Sequence, residues 1–208
     1  TKLFYFFTNS KDTRKHNMRL TVNLESCGLW LLGLNELISP DNRWVLSKNG
    51  LDSTGYNYSS YEKMELLWNY TYKIDKDNAV AMRANMGCII PIGKDSDIPY
   101  EKGFYMGTSN SMRGWGYRGL GPGSYQHGTD TIYTGDIKME FNVEYRGTIY
   151  RTIKYGLFVD VGNIWLSRKQ EDMPGAEFSI KRFYKELAVD VGVGLRIDFD
   201  FFVIRLDW

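Results

Sequence analysis

The sequence predicts an all-β fold, a transmembrane antiparallel β-barrel, from three features of the chain. Apolar and polar residues alternate with a period of two in most of the segments that resemble strands, which is typical of strands with one apolar and one polar environment. The links between these segments are alternately short and long, as in membrane barrels. The sequence contains no run of about 20 apolar residues, which excludes membrane-spanning helices.

Four strands are predicted in the first half of the chain. Even positions are apolar in Met64–Tyr72, opposite mostly polar odd positions, and the same pattern recurs in Val80–Ile90 and, over a shorter length, in Met18–Leu24. The first residues of the chain have the composition of a strand interior, so we expect this sequence to be an internal piece of a longer precursor. The predicted strands are approximately residues 3–9, 17–30, 61–73 and 79–90.

Four further strands are predicted in the second half. In residues 136–145 every odd position is apolar and every even position is polar or charged, and residues 187–199 repeat the pattern. Several segments have about 10 residues or more, the length that a tilted membrane strand needs, whereas strands of soluble proteins average about 5–6 residues. The predicted strands are approximately residues 132–146, 153–166, 186–198 and 201–208.

The links predict which end of the barrel faces which compartment. Short links fall at about 10–16, 74–78, 147–152 and 199–200, and we expect these to be periplasmic turns. Long links at 31–60, 91–131 and 167–185 are expected on the extracellular side. An aromatic girdle is expected near the short turns, because aromatic side chains lie there on the apolar faces. The girdle residues are Trp68, Tyr70, Tyr72, Tyr145 and Tyr155.

Composition argues against several classes of function. The 208 residues include 26 Lys and Arg against 25 Asp and Glu, a balance that gives no indication of nucleic-acid binding. Cys27 and Cys88 fall on opposite strand faces and have no neighbouring ligands, so we expect neither a disulfide nor a metal site. His16 and His127 are isolated in the sequence. We therefore expect no enzyme activity and no cofactor.

The long link 91–131 contains a glycine-rich and aromatic segment, and residues 103–125 read GFYMGTSNSMRGWGYRGLGPGSY. This segment resembles the inward-folded loop of the BamA/TamA outer-membrane assembly superfamily, whose hallmark is an Arg-Gly-aromatic triplet, here Arg113-Gly114-Trp115. Gly121-Pro122 also matches the family pattern. One departure is Gly107-Thr108, where the family commonly has two glycines.

A second segment carries the same resemblance. The strand Leu157–Trp165 contains Phe158-x-Asp160-x-Gly162, and parity sends these three residues to the same face. In the family, the loop arginine reaches into the lumen and pairs with the aspartate of such a strand. The resemblance therefore implies that Arg113 pairs with Asp160, that Phe158 packs beside the guanidinium, and that Gly114 and Gly162 give the loop a tight turn and room. This pair would lock the loop inside the barrel.

The resemblance is most specific over residues 100–208 and is closest to the TamA/TamL-type branch. It implies that residues 1–208 are part of one C-terminal barrel domain, about half of a sixteen-stranded barrel, without POTRA modules in this chain. It further implies a bacterial outer-membrane protein that assembles, inserts or translocates other proteins. The partners would be outer-membrane lipid, client outer-membrane proteins and, through upstream modules, periplasmic or inner-membrane assembly partners.

Three alternatives stay open from the residues alone. A passive outer-membrane pore would share the strand pattern but would not need Arg113 to pair with Asp160. A small closed barrel of eight strands is also compatible with the strand pattern, although its filled interior would leave no space for an inward loop. A soluble β-sandwich that binds glycans through its aromatic loops would place solvent, not a lumen, on the polar faces.

Overall fold

A computed structural model describes residues 2–13, 15–27, 60–92, 98–125, 133–199 and 201–208. Eight strands make up almost all of the regular structure, with two short 3-10 turns at Tyr100–Lys102 and Phe183–Lys185. Within these ranges, no helix has the length and apolar character needed to cross a membrane. The strands are β1 (Lys2–Asp12), β2 (His16–Cys27), β3 (Tyr61–Lys73), β4 (Asn78–Pro91), β5 (Ile137–Tyr150), β6 (Ile153–Trp165), β7 (Ala188–Asp198) and β8 (Val203–Asp207).

The strands form a single antiparallel sheet in chain order, β1 to β8, with each strand hydrogen-bonded to the next. This confirms the predicted antiparallel arrangement. Among the described residues β1 pairs with β2 and β8 with β7, and the sheet is not closed between β8 and β1. The closed eight-stranded barrel and the two-sheet sandwich are therefore wrong for this chain.

Most predicted strand boundaries agree with the structure to within three residues, and the two ends of β5, predicted at 132 and 146, lie at Ile137 and Tyr150. Strand β5 begins at Ile137 and not at 132, because Gly135 instead pairs with Phe104 of the inward loop through two N–H···O bonds of 2.8 Å. Strand β8 begins at Val203 because the amide of Phe199 closes the preceding turn on the carbonyl of Phe202, at 2.9 Å. The predicted strand residues 28–30 and 132 lie outside the described ranges.

The two faces of the sheet have opposite chemistry. The outer face presents apolar side chains, and Val191 of β7 is 68% exposed. The inner face buries polar groups, including Glu140 and Asn142 of β5. Such a distribution is the reverse of that in a soluble protein, where exposed side chains are mostly polar, and it matches a barrel wall between lipid and lumen.

The expected aromatic residues lie near the short-turn end of the outer face. The rings of Trp68 and Tyr70 are stacked with centroids 5.7 Å apart, and those of Tyr145 and Tyr155 are 6.1 Å apart. The hydroxyl of Tyr145 donates to Asn78 Oδ1 at 2.8 Å, at the start of β4. The Tyr145 ring thus has an apolar body on the outer face and a polar tip toward the turn, as is typical of interfacial aromatics.

Candidate functional site

The described part of the inward loop, residues 98–125, packs against the inner face of the sheet. Its side chains form a hydrophobic cluster with residues from the wall, in which Met106 and Met112 are completely buried. Tyr61 and Ile89 contribute from β3 and β4, and Ile164 from β6. Because its apolar side chains are packed on the wall, this part of the loop is a folded element and not a solvent linker.

Arg113 lies at the tip of this loop and grips Asp160 of β6 with two parallel hydrogen bonds. Arg113 Nε donates to Asp160 Oδ2 at 2.7 Å, and Nη2 donates to Oδ1 at 2.9 Å. The Asp160 side chain is completely buried, and that of Arg113 is 8% exposed. This two-point geometry is available to the planar fork of arginine and not to lysine.

The ring of Phe158 packs against the Arg113 guanidinium. It lies two residues before Asp160 on the same face of β6, and its ring centroid is 3.5 Å from Arg113 Cζ. A guanidinium over an aromatic face gains a cation–π interaction, which is stronger when both groups are shielded from water. Phe158 is only 5% exposed, so one strand supplies both the carboxylate and the ring that orient Arg113.

A second carboxylate, Glu144 of β5, also contacts the arginine. Arg113 Nη1 donates to Glu144 Oε2 at 3.1 Å, while Glu144 Oε1 accepts from Arg146 Nε at 3.1 Å and contacts Arg196 of β7. A buried carboxylate among three guanidinium groups is well compensated for its desolvation. The sequence indicated that Glu144 faces the lumen but did not identify it as a partner of Arg113.

Asn142 links the loop backbone to the same site. Its Nδ2 group donates to Asp160 Oδ1 at 2.9 Å and to the Ser111 carbonyl at 3.1 Å. Its Oδ1 accepts from Arg83 Nε of β4 at 3.0 Å. Since Asn142 pairs with Asp160 across β5 and β6, the sheet register places the amide where it can bridge wall and loop.

The other residues singled out by the sequence surround this pair. Gly114 contacts Asp190 of β7 through its backbone N–H, and a Cβ at this position would lie 2.8 Å from the Asp190 Cγ. Gly114 also lies in a turn, which is closed by the amide of Trp115 donating to the Met112 carbonyl at 3.3 Å. Trp115 is partly buried and packs against the hydrophobic cluster. A Cβ at Gly162 would approach Met106 Cε at 3.0 Å, so this glycine leaves room for the loop.

The first arm of the loop has its own polar anchor, which the sequence did not indicate. Lys102 Nζ lies 2.7 Å from Glu25 Oε1 of β2, and the same oxygen accepts from the Tyr61 hydroxyl at 2.7 Å. Lys63 of β3 donates to the Lys102 carbonyl at 2.7 Å and lies over the Phe104 ring, 4.2 Å from its centroid. The loop therefore enters the lumen fixed to β2 and β3.

The returning arm is anchored at the long-loop end of β6. The amide of Gly123 donates to the Ile164 carbonyl at 2.7 Å, and Asn163 Nδ2 donates to the Gly123 carbonyl at 2.9 Å. The amide of Ser124 donates to the Gly175 carbonyl at 3.0 Å, in the segment between β6 and β7. The first arm is thus attached to β2 and β3, whereas β6 holds both the tip and the returning arm.

Comparisons with known proteins agree with this architecture. The Omp85 superfamily domain matches residues 33–208. The outer membrane protein assembly factor BamA of Neisseria meningitidis serogroup B is 26% identical over 107 residues, which are 49% of this chain and 13% of that protein. The crystal structure of BamA from Haemophilus ducreyi lacking POTRA domains 1–3 superposes with a TM-score of 0.60 at 11% identity, over all of this chain and 54% of that one.

The chain spans about half of the matched crystal structure and a small part of the Neisseria protein. The structural likeness, at 11% identity, shows the barrel fold. The family model covers most of the chain. The matched relative is an outer-membrane protein, and this barrel wall likewise belongs to the bacterial outer membrane. The chain belongs to the Omp85 superfamily.

Proposed function

We propose that this barrel wall is part of a factor that inserts proteins into the outer membrane or translocates them across it, with Arg113 locking the inward loop in place. One observation carries the proposal: the Arg113 guanidinium contacts both oxygens of the completely buried Asp160 carboxylate. The matched Neisseria relative, named as an assembly factor, supports the assignment of function.

The chemistry of the lock supports a mechanical role for the loop. Moving Arg113 out of the lumen would leave two buried carboxylates, Asp160 and Glu144, without one of their cations, which is unfavourable. A passive pore needs no such pairing, because a pore with a solvated loop would conduct ions equally well. The docked loop instead gives the wall a fixed internal support.

The proposed mechanism is non-enzymatic. A barrel whose strands can part offers an unpaired strand edge, and such an edge can pair with an incoming strand of a client protein by β-augmentation. Lipid and client outer-membrane proteins would be the partners of the barrel, and periplasmic or inner-membrane partners would act through upstream modules. Assignment to the TamA/TamL-type branch stays a prediction.

Client insertion by the full-length protein in liposomes tests this function. Folding of a β-barrel client would be followed by its protection from added protease. We expect Arg113→Ala to lose most of the insertion activity at an equal level of folded protein. The matched control is Lys154→Ala, which removes the 2.6 Å ion pair with Asp198 on the same wall and should retain activity.

The same samples separate the proposal from a passive pore. Ion conductance in planar bilayers would be recorded for the wild type and for Arg113→Ala. A wild-type protein that conducts ions but inserts no client, under conditions where a known assembly factor does, would favour the pore. Equal client insertion by the wild type and Arg113→Ala would refute the functional lock.

A further inference from the structure

A second arginine reaches the loop tip from the opposite direction. Arg205 of β8 donates from Nη2 to the Ser109 carbonyl at 2.5 Å and from Nη1 to Asn110 Oδ1 at 3.2 Å. Its Nε donates to Asp207 Oδ2 at 2.5 Å, which directs the guanidinium along β8 and toward the loop. Whereas Arg113 extends from the loop to the wall, Arg205 extends from the wall to the loop.

The contacts of the tip therefore cross four consecutive strands. The Ser111 carbonyl is bound by Asn142 of β5, Arg113 is bound by Asp160 of β6, and the amide of Gly114 contacts Asp190 of β7. Arg205 extends this series to β8. Arg113 and Arg205 also line one shared cavity of about 280 Å³ between the tip and the wall.

Strand β8 is attached to two different elements. Its ladder with β7 runs from Val203 to Asp207, and Trp208 and Val193 exchange two further backbone hydrogen bonds of 2.8 and 2.9 Å. Two of the three hydrogen bonds of Arg205 leave the strand and attach it to the loop tip, whereas the third, to Asp207, stays within β8. A hydrogen bond to a charged donor is worth more than a ladder bond, so the attachment to the loop adds to what the ladder provides.

We propose that Arg205 is a positioning residue that couples the docked loop to β8. The inference rests on the loop lock proposed above and adds a direction to it: the docked tip holds β8 in place, and undocking of the tip loosens β8. Arg205 acts through Ser109 and Asn110, and not on a client directly. Through this contact, a change in the position of the loop tip would change the stability of β8.

Hydrogen exchange of the full-length protein in lipid nanodiscs tests the coupling. Arg205→Ala removes two hydrogen bonds to the loop tip and is expected to speed exchange of the β8 amides, residues 203–207, by more than about tenfold, the effect of losing one hydrogen bond to a charged group. Asn110→Ala removes a single contact in an exposed part of the loop and should give a smaller acceleration in β8. Lys154→Ala, which breaks an ion pair on the same wall away from the loop, is the matched control.

The double variant Arg113→Ala with Arg205→Ala tests whether the loop tip acts on β8 through Arg205. Arg113→Ala, which undocks the tip, should speed β8 exchange in the wild-type background and should add nothing when Arg205→Ala is already present. Wild-type β8 exchange in both Arg205→Ala and Asn110→Ala would overturn the proposal, as would fully additive effects of Arg113→Ala and Arg205→Ala. Because Asn110 lies outside the strands, its variant keeps the test valid even if Arg205→Ala folds poorly.

Client insertion is measured separately, which distinguishes the two proposals. Normal β8 exchange in Arg205→Ala, together with loss of insertion in Arg113→Ala, would refute the coupling and leave the assembly function standing. Accelerated β8 exchange with normal insertion in Arg113→Ala would support the coupling and refute the functional lock.

Discussion

The substitution Asp160→Asn removes the charge of the lock while keeping the size of the side chain. In the wild type, Asp160 Oδ2 accepts from Arg113 Nε at 2.7 Å, and Oδ1 accepts from Arg113 Nη2 and Asn142 Nδ2, both at 2.9 Å. Asparagine offers one oxygen, so its amide group must face an N–H of the guanidinium. At least one charge-assisted hydrogen bond is lost, worth about 1.5–3 kcal/mol.

Glu144 limits the damage, because it stays 3.1 Å from Arg113 Nη1. We therefore expect a loss of about 2–3 kcal/mol of docking free energy, below the 3–5 kcal/mol that an unpaired buried ion costs. At about 1.4 kcal/mol for each factor of ten, the undocked loop becomes about 30- to 150-fold more populated. Hydrogen exchange of amides 107–116, in lipid nanodiscs, measures this population directly.

The control for this prediction is Asp198→Asn. It neutralises a carboxylate of the same inner wall that pairs with Lys154 at 2.6 Å and is remote from the loop. Its loop exchange should match that of the wild type. If exchange in Asp160→Asn stays within about threefold of the wild type, a difference below about 1 kcal/mol, the ion pair does not hold the loop.

Three further substitutions test the facing of the strands, the loop stem and a turn. Val191→Lys puts a charge on the lipid face and should lower folding stability by about 2–4 kcal/mol near the bilayer midplane. Gly87→Ala would place a Cβ 2.7 Å from Phe104 Cε1, and we expect a loss of about 1–3 kcal/mol from the displaced ring. In the turn before β4, hydrogen bonds from the Asn78 side chain and from neighbouring amides lower the pKa of Asp75, so its turn should be ordered at neutral pH and loosen as the pH falls through that lowered pKa.

Each of these has a direct measurement. Urea-induced unfolding in lipid vesicles measures the free energy of unfolding of Val191→Lys and Gly87→Ala. The uncharged control is Val191→Ser, and equal destabilisation by lysine and by serine would contradict the outward orientation of Val191 in β7. Phe104→Leu should make Gly87→Ala better tolerated, and unchanged sensitivity would count against the clash. The protection factor of the Asn78 amide, its exchange rate relative to the intrinsic rate at each pH, reports the turn, and Asp75→Asn should abolish the pH dependence of that factor.

The fold was largely accessible from the sequence because two independent patterns agreed. Period two gave the faces of the strands, and the alternation of link lengths gave the ends of the barrel. Strand β5 shows where this method stops. The alternation does not reveal that Gly135 pairs with Phe104 of the inward loop. A pairing with a residue far away in the sequence leaves no local periodic signal.

The site was accessible only in part, for a geometric reason. Parity places Glu144 and Arg205 on the inner face, but it says nothing about their height along the barrel axis. Height depends on register, which turns and irregularities set, such as the shift between Thr148 and Tyr150 in β5. Arg113 and Asp160 could be paired because a family resemblance supplied the missing register. The contact of Gly114 with Asp190 of β7 could not be predicted for the same reason.

The inward loop is attached in two physically different ways, and this has a consequence for how it can move. Its arms are held by apolar packing: Met106 of the first arm and Leu120 of the returning arm are buried in the hydrophobic cluster. Its tip is held mainly by polar contacts, and Arg113 and Arg205 border a cavity of about 280 Å³, while Met112 beside Arg113 joins the cluster. Water can replace the partners of a guanidinium but cannot replace apolar packing. Under the lock proposed above, release of the tip would exchange polar contacts for water and unpack Met112, while the arms would stay packed in the lumen.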